Sequence, residues 1–195
     1  MQSASRQKLL TMQTDPAQFV DRALSCLDAG SARQAKNSAF GSYKGFAVRI
    51  SVYQVNQKTN GAGGDPLTKI VNGAINYVLG TVLEKAMPFC RVTIAFECND
   101  PLSIILQGGS MGDQVSFAGI RKTIISNDIA RCKNWLATPA AKESVNSLLQ
   151  KHGLNKIEKL ANSKNLELIF DYRQGLENEL IRILDAICDL LAALN

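Results

Sequence analysis

Cys90-Arg91-Val92-Thr93-Ile94-Ala95-Phe96-Glu97-Cys98, followed by Asn99-Asp100-Pro101, is the stretch that decides the fold class. Both cysteines share the parity of Val92, Ile94 and Phe96, which marks a strand with one buried face and a turn at its end. Leu102, Ile104 and Leu106 then alternate along a second strand. Gly108-Gly109-Ser110-Met111-Gly112-Asp113 makes another turn, and Val115 and Phe117 point inward from a third strand. The pattern predicts an antiparallel meander.

Upstream, Phe46, Val48, Ile50 and Val52 alternate with Ala47, Arg49, Ser51 and Tyr53, giving a further strand that ends near Val55. Glycines 61, 63 and 64 mark a loop over 56–64, and Asp65-Pro66 opens the strongest helical period, 67–86. Its apolar stripe, from Leu67 and Ile70 to Leu83 and Ala86, is wide enough to pack centrally on a sheet. Nearer the start, Asp15-Pro16 caps a helix with Phe19, Val20, Ala23, Leu24 and Leu27 as its stripe and Gly30 at its end. Residues 31–44 read as a basic, small-residue connector containing Arg33, Lys36 and Lys44.

Downstream, Ile125, Ile129, Cys132 and Leu136 form one helical stripe. Thr138-Pro139 caps another helix, closed by His152-Gly153. Residues 155–162 read as a short helix and 166–172 as a strand. The last helix, from about Gln174, places Leu180, Ile187 and Leu194 at heptad spacing, with Leu184 and Leu191 on adjoining rows. The expected fold is one α+β domain over residues 1–195: an antiparallel sheet of four to five strands packed on a central helix, with N-terminal and C-terminal helices. Residues 1–14 form a leading segment, and 174–195 an oligomerisation or docking helix.

Composition narrows the function. The chain of 195 residues is 46% hydrophobic and 20% charged, ordinary for a soluble globular protein that needs no disulfides. No apolar run reaches the roughly 18 residues of a membrane span, and the first 25 residues carry no signal-like apolar stretch. Five cysteines, with no CxxC and no histidine at ligand spacing, indicate structural thiols in a reducing, cytoplasmic compartment. Cys90 and Cys98 lie about 27 Å apart along their strand and cannot bond to each other.

Enzymatic chemistry finds little support. The single histidine, His152, falls at a helix C-terminus, where the dipole favours a cation and capping explains it. Of the acids that a divalent metal would require, Asp65, Glu97, Asp100 and Asp113, the last two lie about 20 Å apart at opposite ends of a hairpin. The loop Gly61-Ala62-Gly63-Gly64-Asp65-Pro66 lacks the Lys-Ser/Thr pair of a P-loop and places an acid where a phosphate would bind. No catalytic residue, metal or cofactor is assigned, and the chain reads as a non-enzyme.

Charge is the informative quantity. The 22 basic and 17 acidic residues are segregated: residues 1–64 carry +5, 65–113 carry −2, 114–165 carry +6 and 166–195 carry −4. Arg49 and Tyr53 lie on the strand face opposite the core, a cation and a ring on which a base can stack. Lys36 and Lys44 extend that surface, and Arg121, Lys122, Arg131 and Lys133 form a second set. The expected function is therefore non-catalytic binding of RNA or single-stranded DNA by a homo-oligomer. Leu180, Leu184, Ile187, Leu191 and Leu194 would carry the oligomer contact. The alternative is a protein-interaction or assembly protein that works through the terminal helix, and a third reading is a magnesium-dependent nuclease using Asp65 and Asp100.

Overall fold

The structure is a computed structural model in which residues 16–55, 89–109, 112–173 and 175–194 are described. The chain divides into two compact units, residues 14–53 with 91–195, and residues 1–13 with 54–90. The second contributes only the ends of two strands to the described residues. The helix expected over 67–86, the loop with Asp65 and the leading segment 1–14 lie outside them.

The elements run α1 (Pro16–Cys26), β1 (Arg33–Ala35), β2 (Ser38–Tyr43), β3 (Phe46–Val55), β4 (Phe89–Glu97), β5 (Ile104–Gln107), β6 (Asp113–Phe117), β7 (Ile120–Ser126), α2 (Ile129–Ala137), α3 (Pro139–Lys151), β8 (Leu154–Lys159), β9 (Asn165–Asp171) and α4 (Leu176–Ala192). The α+β class stands, but among the described residues the sheet has nine strands rather than four to five, in the order β1-β2-β3-β4-β9-β8-β5-β7-β6. The β1·β2, β2·β3, β4·β9, β9·β8, β8·β5, β5·β7 and β7·β6 pairs are all antiparallel. β4 and β5 are not neighbours, so the meander expected from β4 onward is split. After β7 the chain passes through α2 and α3 and returns to fill the gap between β4 and β5 with β9 and β8.

Three segments differ from the expectation. Residues 31–44, read as a connector, form β1 and β2. The inward positions of β2 are Ala39, Gly41 and Tyr43, too small a set to show an apolar rhythm. Gly41 is small by necessity: a Cβ there would lie 3.0 Å from the Ser31 hydroxyl, 3.1 Å from a Leu27 methyl and 3.2 Å from the Ala32 backbone. Residues 155–162, read as a helix, contain β8. A bulge between Leu154 and Lys156 shifts the pleat, so that Leu154 and Ile157 face the core together at a spacing of three, which mimics a helix. Ile125, assigned to a helical stripe, belongs to β7; α2 begins at Ile129, where the Asp128 side chain accepts the Arg131 N–H at 2.9 Å.

A single apolar core joins the helices to the inner face of the sheet. That face presents Val48, Ile50 and Val52 from β3, Val92, Ile94 and Phe96 from β4, and Leu166, Leu168 and Phe170 from β9, all buried. On α4, Leu176, Leu180, Ile183, Leu184, Ile187 and Leu190 are each 0% exposed. Burying a leucine or isoleucine contributes about 1.5–3 kcal/mol, so this helix is a main source of stability. Trp135 of α2 donates its indole N–H to the Leu190 carbonyl at 3.1 Å, which ties α2 to α4. Among the described residues no helix is long and apolar enough to cross a membrane.

Candidate nucleic-acid interface

β2 and β3 bury one face and open the other to solvent, and on β1 to β3 the open face carries a specific row. Arg33 pairs in register with Phe40, and Phe40 with Arg49. An aromatic ring thus sits between two arginines on three adjacent strands. With strands about 4.8 Å apart, the three residues span roughly 10 Å. Phe40 is 37% exposed, unusual for a phenylalanine in a strand. The next pair, Ser38 and Ser51, is joined by a 2.9 Å hydrogen bond between the hydroxyls, which fixes β2 against β3. Two residues further along β3, Tyr53 is 39% exposed, and its hydroxyl accepts a 3.2 Å hydrogen bond from Thr93. Its ring is therefore held in place on the same face, roughly 14 Å from Phe40 by strand geometry.

Three acids of the outer face are paired with cations, whereas Glu97 of β4 is exposed and makes no ion pair among the described residues. Arg49 reaches Glu167 of β9 at 3.2 Å, and β4, which lies between, presents the small side chain of Ala95 beside Glu167. Arg91 lies 3.6 Å from Asp171, and Lys156 lies 2.7 Å from Glu158. Arg33 and Lys36, at the β1 edge, make no ion pair among the described residues. Excess positive charge on this part of the face therefore sits beside Phe40.

The seven cations singled out from sequence, with Tyr53, do not form one surface. Arg49 and Tyr53 lie on the outer face, and Lys36 lies in the turn between β1 and β2. Lys44 occupies the β2–β3 turn in a left-handed conformation (φ 50°), and its ammonium is bound to Asp185 of α4 at 2.6 Å. Arg131 is paired with Asp100, and Lys133 with Asp113 at 3.2 Å. Arg121 is exposed on β7, at the far side of the sheet. Its neighbour Lys122 points inward instead: it is buried and its ammonium donates to the Asn155 carbonyl at 3.0 Å. Burial, offset in part by Asp171, pulls its pKa below the ordinary lysine value. The basic block of residues 114–165 is thus divided between the two faces.

The proposed oligomer contacts are buried within the chain itself. Leu180, Leu184 and Ile187 are 0% exposed and Leu191 is 3% exposed, while Leu194 is half-buried. Of the two fates open to the terminal helix, the structure displays docking into the core.

Other candidate chemistry is absorbed by structural roles. Asp100 accepts the Leu102 N–H at 2.7 Å on one carboxylate oxygen and holds Arg131 with the other, so both oxygens serve structural contacts. His152 caps α3 and places Nδ1 2.6 Å from Glu179, which also receives Arg173. Burial alone would raise the Glu179 pKa, but the His152 hydrogen bond and the Arg173 charge outweigh it and hold the carboxyl below its ordinary value. All five cysteines are free thiols, and burial pushes Cys132 and Cys188 up to about 11. Neither is a thiolate at neutral pH. Among the described residues no group of three or more side chains is arranged to hold a metal.

Arg33 and Phe40 escaped the sequence reading because β1 and β2 read as a connector. The available signal was the parity of Phe40 with Ser38 and Ser42 in Ser38-Ala39-Phe40-Gly41-Ser42-Tyr43, which puts the phenylalanine on a polar face. Compared with known proteins, the chain matches no family model, no curated protein and no solved structure.

Proposed function

We propose that the outer face of β1 to β3 binds single-stranded nucleic acid, without catalysis. The observation that carries this reading is the cross-strand row Arg33, Phe40, Arg49. A base stacks on the exposed Phe40 ring and a second on Tyr53, each worth about 1–3 kcal/mol, while Arg33, Lys36 and Arg49 contact phosphates. A duplex, with its bases stacked inward, offers such rings no faces, so a single strand is the substrate class. Five free thiols suit a reducing compartment such as the cytoplasm.

Binding of labelled RNA and single-stranded DNA across a salt series tests the reading. Three phosphate contacts give a log–log salt slope of about −2, or about a 20-fold loss of affinity between roughly 50 and 200 mM salt. No binding at the low-salt end, or a flat response, would contradict the proposal.

A further inference from the structure

The far side of the sheet holds a second polar feature, at the β6–β7 hairpin. In register, Gln114 pairs with Thr123 and Ser116 with Arg121, so these four side chains share the outer face. Thr123 is 1% exposed and fully engaged: its hydroxyl donates to the Gly109 carbonyl at 2.9 Å and accepts from the Gln114 amide at 2.9 Å. Gly112, just before β6, packs tightly on the same residue. A Cβ at Gly112 would lie 2.6 Å from the Thr123 methyl, and Gly112 has φ 121° besides. Thr123 therefore fixes both walls of a cavity of about 510 Å³ lined by Gly109, Gln114, Val115, Ser116 and Arg121. That volume lies within the range of small-molecule sites.

The chemistry of the lining is one-sided. Arg121 is the one charged side chain among the lining residues, is exposed, and makes no ion pair among the described residues. The nearby cations are committed elsewhere, Lys133 to Asp113 and Lys122 to the Asn155 carbonyl. A guanidinium with no ion pair, a serine hydroxyl directly across the hairpin from it and no carboxylate in the lining, among the described residues, suit a phosphate group. The Gln114 amide nitrogen gives one of its two hydrogens to Thr123, which orients the amide, and its carbonyl oxygen is available to accept from a hydroxyl on the body of the ligand.

We infer that this cavity binds a phosphate monoester of a hydroxylated small molecule or strand end, with Arg121 gripping the phosphate. β2 and β7 are six positions apart in the sheet order, roughly 29 Å, so the site is independent of the Phe40 row.

Calorimetric titration of the full chain with adenosine monophosphate, adenosine and a 5′-phosphorylated oligonucleotide tests the inference. Saturable binding of the monophosphate assigns the site to a free phosphate ester. Competition by the phosphorylated strand, and not by its 5′-hydroxyl counterpart, assigns it to a strand end. In either case Arg121→Ala is expected to weaken binding at least tenfold and Arg121→Lys by less, because a point charge replaces a fork. Phe40→Ala is expected to leave it unchanged. Arg121 is exposed and unpaired, so its variants are expected to unfold at the parent temperature, which separates lost binding from lost fold. Equal affinity for adenosine, no saturable binding of the monophosphate together with equal behaviour of the 5′-phosphorylated and 5′-hydroxyl strands, or an Arg121→Ala variant within twofold of the parent would overturn it. The Phe40-based reading is tested separately, by binding of the 5′-hydroxyl strand, which Phe40→Ala is expected to weaken and Arg121→Ala to leave unchanged.

Discussion

On the inner face of β3, Val48, Ile50 and Val52 are at most 4% exposed; one residue out of step, Arg49 and Tyr53 reach solvent, and Phe40 does so on β2. The inner face meets helices through leucine, isoleucine and phenylalanine, whose interchangeable apolar surface supplies stability. The outer face at β1 to β3 carries rings and guanidinium groups in a register that no core requires. Folding and binding therefore rest on different residues of the same strands, and single substitutions can separate them.

The largest effect is expected on the inner side. Leu184→Ala, at a position with no exposure, should cost about 2–5 kcal/mol, a large share of the 5–15 kcal/mol available to a domain. Chemical denaturation measures it. A loss below about 1 kcal/mol would mean that α4 is not an integral part of the core. On the outer side, Phe40→Ala and Tyr53→Ala should each weaken single-strand binding by about 5- to 150-fold. Their denaturation midpoints should stay close to that of the parent chain, the reverse of the Leu184→Ala pattern. A variant that loses stability and binding together would erase the distinction between the faces.

Much of the inner face was legible in the sequence, because burial imposes a period: the Phe19, Val20, Ala23 and Leu27 stripe of α1 and the alternation of β4 both appear in the structure as read. The periods misled where geometry broke them. The bulge at Leu154 to Lys156 turned a strand into an apparent helix, and the close approach at Gly41 removed the apolar signal of β2. Strand order was illegible for a different reason. The insertion of β9 and β8 between β4 and β5 is a pairing across more than 50 residues, which no local pattern encodes. On the outer face, Arg49 and Tyr53 followed from the alternation of β3, whereas Arg33 and Phe40 required the register of β1 on β2.

A smaller effect sharpens the electrostatic side of the comparison. Glu167 competes with phosphate for Arg49, so Glu167→Gln should tighten binding by about 1.5- to 5-fold, the worth of an exposed ion pair. Weaker binding by this variant would show that Glu167 orients Arg49 instead of competing for it.

The smallest effect concerns acid, and it belongs to the helical side. Burial alone would raise the Asp185 pKa, but hydrogen bonds from Lys44 and Tyr43 hold it below its ordinary value, as His152 and Arg173 do for Glu179. Both carboxylates thus favour the charged form more in the folded than in the unfolded chain. Their contribution is present above the unfolded carboxyl range and is lost as pH falls below about 4. The Asp185→Asn, Glu179→Gln double variant should show a shallower decline in stability over that window; an unchanged acid slope would remove both pairs from the account.

The most direct measurement is photo-crosslinking of the full chain to a single-stranded oligonucleotide containing 4-thiouridine, with the modified peptides mapped by mass spectrometry. Crosslinks are expected on β2 and β3, centred on Phe40 and Tyr53. Crosslinks concentrated on α2 and α3, with none on those two strands, would contradict the assignment of the binding surface to the outer face of β1 to β3.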